Sequence, residues 1–355
     1  MTEAVINERT TASVPAFQVD PYWPKPLPNN WILGQVSGVA VDARDHVWAI
    51  HRPRSLTDRE AGAVQDPPLS ECCVPAPSVI EFDPDGNVVQ AWGGPNDANQ
   101  ERWPQTEHGL FIDSDGNVWN TFIGGDDQVV LKSTPDGKRL LTIGEWGTTK
   151  GSNDPTTLGQ PADIAVDPVA SEVYVADGYG NRRIVVFDSK TGAYKRHWGA
   201  YGERPHDDEL PPYDPDGQVV RSFRRPMHAV VIGEDGLVYT ADRINNRIQV
   251  FQKSGQFVKE EFLATRTLAM GAVWDFAFSV DPGQTHVFVP DGTNQKVWIL
   301  TREDLKPVGA FGRGGRMAGY FGWVHSIAAD SMGNLYTGEV ETGKRLQRFV
   351  PLRAR

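Results

Sequence analysis

Three histidines, His108, His228 and His325, stand at the head of apolar, strand-like runs (HGLFID, HAVVIG and HSIAAD). Imidazole binds zinc, copper and iron alike, and three imidazoles with an open fourth position describe a catalytic zinc site. The three are far apart in the chain, so only the fold can bring them together. Two arginines and a tyrosine are the other residues of chemical interest. Arg52 and Arg243 each offer a bidentate fork for a carboxylate. Tyr179 offers a phenol that serves as a general base beside a metal or a cation. The remaining histidines (His46, His51, His197, His206 and His286) fall at turns or strand ends, and are read as exposed or hydrogen-bonded.

The elements that must position these residues form a repeat. Six similar units run along the chain: GVAVDARDHVWAI (38–50), GLFIDSDGNVWNT (109–121), DIAVDPVASEVYVAD (163–177), AVVIGEDGLVYTAD (229–242), DFAFSVDPGQTHVFVPD (275–291) and SIAADSMGNLYTGE (326–339). Each is an apolar run, a turn rich in Asp and Gly, and a second apolar run, which is a β-hairpin signal. A third strand follows, as in NRRIVVFD (181–188) and NRIQVF (246–251). A fourth follows in the first five units, as in NVVQAWG (87–93) and KPVGAFG (306–312). Repeated four-stranded antiparallel units predict an all-β, six-bladed β-propeller. The sixth unit lacks its fourth strand, and AFQVD (16–20) is the candidate to supply it and close the ring, which removes the exposed sheet edges. The expected organisation is one propeller over 16–355, preceded by a disordered segment, 1–15.

In a propeller the first strand of each blade lines a central channel. The residues that open these strands are Gly38, His108, Asp163, His228, Asp275 and His325. Every second blade therefore presents a histidine, and alternate blades of six are related by a third of a turn. Strand two returns to the same face, so His51-Arg52, Asp177-Gly178-Tyr179, Asp242-Arg243, Asp291 and Glu339 end near the histidines. Asp177, Asp242 and Asp291 recur at one repeat position and are read as turn stabilisers. Arg52 and Tyr179 have no counterparts in the other repeats, which marks them as functional. The long connections 53–76, 94–107, 148–160 and 200–224, with Trp103 among their residues, are expected to wall a substrate pocket.

Composition excludes several classes. The formal charge of −11 and the lack of a Lys/Arg cluster speak against nucleic acid. No apolar run approaches the roughly 20 residues of a membrane helix. The polar N-terminus predicts no export signal and a cytoplasmic protein. Both cysteines, Cys72 and Cys73, are adjacent, so no disulfide framework is expected and the preferred reading is two reduced thiols.

The units GNRRIVVF and NNRIQVF resemble those of NHL-repeat propellers. More specifically, QVSGVAVD (35–42), IHRP (50–53), EHGLFID (107–113), VADGYGNRRIVVF (175–187), ADRINNRIQVF (241–251) and VHSIAAD (324–330) resemble peptidyl-α-hydroxyglycine α-amidating lyase, in order and in blade position. The resemblance implies a zinc ion on His108, His228 and His325, a substrate carboxylate on Arg52, Tyr179 as the base, and Arg243 as a further pocket residue. It implies cleavage of a carbinolamide to an amide and an aldehyde acid. Departures exist. Ser326 stands where the family has the carboxylate of a structural calcium, although the carbonyl positions Val39 and Leu110 are kept, which speaks against Ca2+. Gly180 replaces the cysteine after DGY, so that disulfide is missing. The expected substrate is a small molecule with a carboxylate or carbinol group. A lactonase-like metal hydrolase, for which Asp163 and Asp275 are the only candidate carboxylate ligands, and a non-catalytic NHL scaffold remain open alternatives.

Overall fold

The computed structural model describes residues 14–95, 97, 102–147 and 149–352. Residues 1–13 of the expected disordered segment lie outside the described residues. Six four-stranded antiparallel sheets follow one another around a ring. Their innermost strands are Gln35–Val41, Glu107–Ile112, Asp163–Asp167, Met227–Ile232, Ala277–Phe278 and Val324–Ala329, in blades 1 to 6. The second strands are Val47–Arg52, Val118–Phe122, Glu172–Asp177, Val238–Asp242, His286–Asp291 and Leu335–Glu339.

The repeated sequence signal has a concrete meaning in the hairpins. In blade 2, Asp113 accepts the backbone N–H groups of Asp115 (3.0 Å) and Asn117 (2.8 Å), and the indole N–H of Trp119 (2.9 Å). Gly116 closes this turn at φ +81°, a left-handed conformation that disfavours a side chain. The same aspartate-to-aromatic bond recurs as Asp42–Trp48, Asp235–Tyr239 and Asp330–Tyr336. The aromatic residue of strand two thus anchors the turn that precedes it.

Apolar side chains fill the seams between blades. Trp119 and Val130 of blade 2 pack with Ile164, Val173 and Val185 of blade 3. Each buried side chain of this size contributes roughly 1.5–3 kcal/mol. The ring closes as expected: Phe17–Asp20 pairs antiparallel with Arg345–Pro351, with Phe17 opposite Pro351 and Asp20 opposite Arg348. The Phe17 ring also packs on Phe288 (5.3 Å) and Phe311 (5.1 Å) of blade 5, so this strand joins two blades.

Three details differ from the expectation. Asp275 precedes its strand rather than opening it, because its carboxylate accepts the N–H groups of Phe276 (2.8 Å) and Ile327 (3.0 Å), and ladder pairing begins only at Ala277. Trp103 does not wall the channel: it lies edge-on between Trp92 (6.1 Å) and Phe122 (5.7 Å), capping the seam of blades 1 and 2. Cys72 and Cys73 are bonded to each other rather than reduced, in a turn where Leu69 N–H donates to Gly62 O and Ser70 Oγ to Cys72 O. No helix among the described residues is long and apolar enough to cross a membrane.

Candidate metal centre

The first strands bring His108, His228 and His325 together at one mouth of the channel. Their rings lie 4.8–5.0 Å apart, centroid to centroid, and one ligand atom from each falls within 4.8 Å of the others. The backbone fixes all three in the same way. Nδ1 of His108 donates to Ala162 O (2.7 Å), that of His228 to Trp274 O (2.6 Å) and that of His325 to Ser37 O (2.7 Å). Each acceptor belongs to the next blade, immediately before Asp163, Asp275 and Gly38. Gly38 is required here, since a Cβ would meet His108 O at 2.9 Å and Leu110 Cβ at 3.0 Å.

These bonds settle the tautomer: with Nδ1 protonated toward a carbonyl, Nε2 keeps its lone pair. Burial holds all three histidines well below the ordinary histidine range, hence neutral; Arg243 adds to this at each, Arg52 at His108 and His325, and neighbouring imidazoles at His108 and His228. Nε2 of His228 is buried with no hydrogen-bond partner, which is costly for a polar atom unless a ligand engages it. The donor set therefore fits a divalent transition metal.

Tyr179 stands beside this trio. Its hydroxyl lies 3.0 Å from His108 Nε2 and accepts from Nη1 of Arg243 (3.4 Å). Arg52 donates through Nε to Glu107 O (2.7 Å) and through Nη1 to Gln35 Oε1 (2.8 Å). Arg243 lies over the Trp274 ring at 4.4 Å. Neither arginine pairs with a carboxylate among the described residues. Their repeat neighbours behave differently: Arg183 pairs with Asp177 (2.8 Å) and Arg247 with Asp242 (2.6 Å), all fully buried. Asp177 and Asp242 are thus blade-turn residues, as is Asp291, which accepts from Asn294 and Trp298. A buried cation without a partner marks a place for an anion.

Asp163 and Asp275 line the channel with the histidines but are committed elsewhere. Oδ2 of Asp163 accepts Val230 N–H (3.0 Å) and Oδ2 of Asp275 accepts Ile327 N–H (3.0 Å). Burial pushes both carboxyl groups up, Asp163 to about 7, and each opposes ionisation of the other. Ser326 lines the channel with the histidines, its buried hydroxyl beside Gly338, where a Cβ would stand 2.9 Å from it. Among the described residues one other cluster has ligand spacing, Asp42, His46 and Glu81, but Arg44 already pairs with both carboxylates at 2.6 and 2.7 Å. His46, His51, His197, His206 and His286 all have polar partners, as expected. Sequence reasoning missed Gln35, Trp274 and Trp323. Trp274 and Trp323 each stand within two residues of an axial position, Asp275 and His325, and that offset was the available signal.

No family model matches the chain. It is 32% identical over 247 residues to peptidyl-glycine alpha-amidating monooxygenase B of Xenopus laevis, which covers 65% of this chain and 24% of that protein. It is 28% identical over 221 residues to a probable peptidyl-alpha-hydroxyglycine alpha-amidating lyase of Caenorhabditis elegans (62% and 56%) and 26% identical over 295 residues to human NHL repeat-containing protein 3 (78% and 73%). The chain spans about a quarter of the length of the Xenopus relative. Among solved structures, a streptogramin B lyase superposes with a TM-score of 0.52 at 13% identity, over 96% of this chain and 88% of that one, which shows the fold alone. The relatives of this six-bladed propeller therefore include peptidyl-α-hydroxyglycine α-amidating lyases and NHL repeat-containing proteins.

Proposed function

We propose that this chain is a metal-dependent carbon–nitrogen lyase of the α-amidating type, acting on a small carbinolamide that bears a carboxylate. One observation carries the reading: three neutral, backbone-locked imidazoles share the channel mouth with a tyrosine bonded to Arg243, while neither Arg52 nor Arg243 pairs with a carboxylate among the described residues. His108, His228 and His325 would hold zinc through Nε2, and zinc when bound supplies Lewis-acid polarisation of the carbinol oxygen. Arg52 and Arg243 bind the carboxylate and orient the carbinol carbon toward the histidines. As its phenolate, Tyr179 accepts the carbinol proton, and Arg243 faces that oxygen with a positive charge. The carbinol C–O then becomes a carbonyl as the C–N bond breaks, and the electron pair leaves on nitrogen. Returning the proton from Tyr179 to that nitrogen gives a neutral amide and an aldehyde acid. A carboxylate-ligated hydrolase is disfavoured, because the oxygens of Asp163 and Asp275 already accept backbone N–H groups.

The test is metal analysis of the purified protein, together with turnover of an N-acyl-α-hydroxyglycine followed by glyoxylate release. About one zinc per chain is expected, lost when any of the three histidines becomes Ala. A wild type with no stoichiometric metal, or variants that keep it, would overturn the site. Stoichiometric metal without glyoxylate would overturn the reaction.

A further inference from the structure

Two indoles at the channel mouth serve no evident structural purpose. The Trp274 ring lies 5.5 Å from the rings of both His228 and His325, and Trp323 lies 6.0 Å from Trp274. Neither belongs to the apolar clusters that fill the blade seams among the described residues. Trp274 is fixed: its indole N–H donates to Gly271 O (2.8 Å) and one ring face carries the Arg243 guanidinium. Trp323 is only half-buried and sits two residues before His325.

The backbone of Trp323 is unusual. Its φ is +71°, in the left-handed region, where a bulky side chain is a genuine outlier. Such conformations persist only when the surroundings over-determine them, and they cluster at functional sites. The surroundings do so here. Trp323 N–H donates to Gln295 Oε1 (2.7 Å), Trp323 O accepts Val340 N–H (3.0 Å), and the preceding Gly322 N–H donates to Glu339 Oε2 (2.6 Å). Glycine would satisfy this backbone at lower cost, yet the position carries the largest side chain. It holds an indole in the sector of blades 5 and 6, across the mouth from Tyr179 of blade 3.

We propose that Trp323, backed by the buried Trp274, forms an aromatic wall that selects carbinolamides with a flat aromatic acyl group on the amide nitrogen. This rests on the lyase reading above. With the carboxylate on the arginines and the carbinol carbon at the histidines, the acyl group is the part left to meet the opposite wall. A planar group stacks on an indole with a gain that aliphatic acyl groups do not share.

The experiment compares N-benzoyl- with N-acetyl-α-hydroxyglycine on the zinc-loaded protein. In parallel, binding of the unreactive N-benzoylglycine and N-acetylglycine is measured by calorimetry. The wild type is expected to prefer the benzoyl compound in each pair by about three- to tenfold or more. Trp323→Ala should lose that preference while keeping acetyl turnover. Trp323→Gly, which suits the left-handed backbone, should lose it too without lowering the thermal midpoint. Equal handling of both acyl groups by the wild type, or a uniform drop in W323A, overturns the wall. If neither compound turns over but N-benzoylglycine still binds more tightly and W323A abolishes the difference, the reaction assignment fails and the wall stands.

Discussion

At the residue scale, the proposed lyase reaction gives the two guanidinium groups the work of binding and the phenol the work of proton transfer. Tyr179 presents its hydroxyl to the histidines, 3.0 Å from His108 Nε2. Tyr179→Phe should therefore keep the metal and lower kcat by about 10²–10⁴-fold, the usual contribution of a positioned base. Arg52 is held by Glu107 O and Gln35 Oε1, an arrangement that fixes the fork before substrate arrives. Arg52→Lys should raise KM for a carboxylate substrate by about tenfold or more and change kcat less, because Lys is a point charge without the fork. Steady-state kinetics on zinc-loaded variants checks both, and the assignments exchange if Arg52→Lys alters only kcat. The histidine trio was legible in sequence because the repeat gave each residue a register. Trp323 was not, since its role comes from a left-handed φ and from Gln295 of another blade, neither of which has a local sequence signal.

At the element scale, the turn after each second strand separates structural from functional cations. Arg247 is fully buried and gives Asp242 two bonds, through Nε (3.0 Å) and Nη2 (2.6 Å), while Asn245 and Arg224 N–H also reach the same carboxylate. Asp242→Ala would leave that buried guanidinium with only the longer Glu260 contact (3.6 Å) as a charged partner, at a cost of up to about 3–5 kcal/mol. A substantial fall in thermal midpoint is expected, measurable by calorimetry. Replacing Arg52, which has no carboxylate partner, should leave the midpoint nearly unchanged. A stable Asp242→Ala protein would mean that this pair does not clamp the blade. The turn aspartates were readable because Asp177, Asp242 and Asp291 share one repeat position. Trp103 was misplaced because hydrophobic periodicity says nothing about which way a loop side chain points, and its ring found the apolar gap between Trp92 and Phe122.

At the scale of the whole molecule, the ring carries a charge conflict on its own axis. Asp163 bonds blade 3 to blade 4 through Val230 N–H, and Asp275 bonds blade 5 to blade 6 through Ile327 N–H. Both line the channel, so ionising one opposes ionising the other. The Asp163 carboxyl, raised to about 7, keeps its proton in the folded state at pH values where the unfolded chain has lost it. Folded protein then binds more protons than unfolded, and stability falls as pH rises from about 4 to about 7. His51 has the opposite sign: burial lowers it to about 4, so its contribution to stability grows as pH rises from about 4 to about 6.5. The lowered histidines, His51 together with the channel trio, act against the carboxyl contribution below pH ~6.5, and only the carboxyl contribution remains above it. The thermal midpoint should therefore fall between pH 6.5 and 8, and Asp163→Asn should flatten that fall, since Asn still accepts Val230 N–H and leaves Asp275 free to ionise without a charged neighbour. Curves for wild type and Asp163→Asn that run parallel over this range would mean both carboxylates are already ionised in the folded ring, which requires a cation between them.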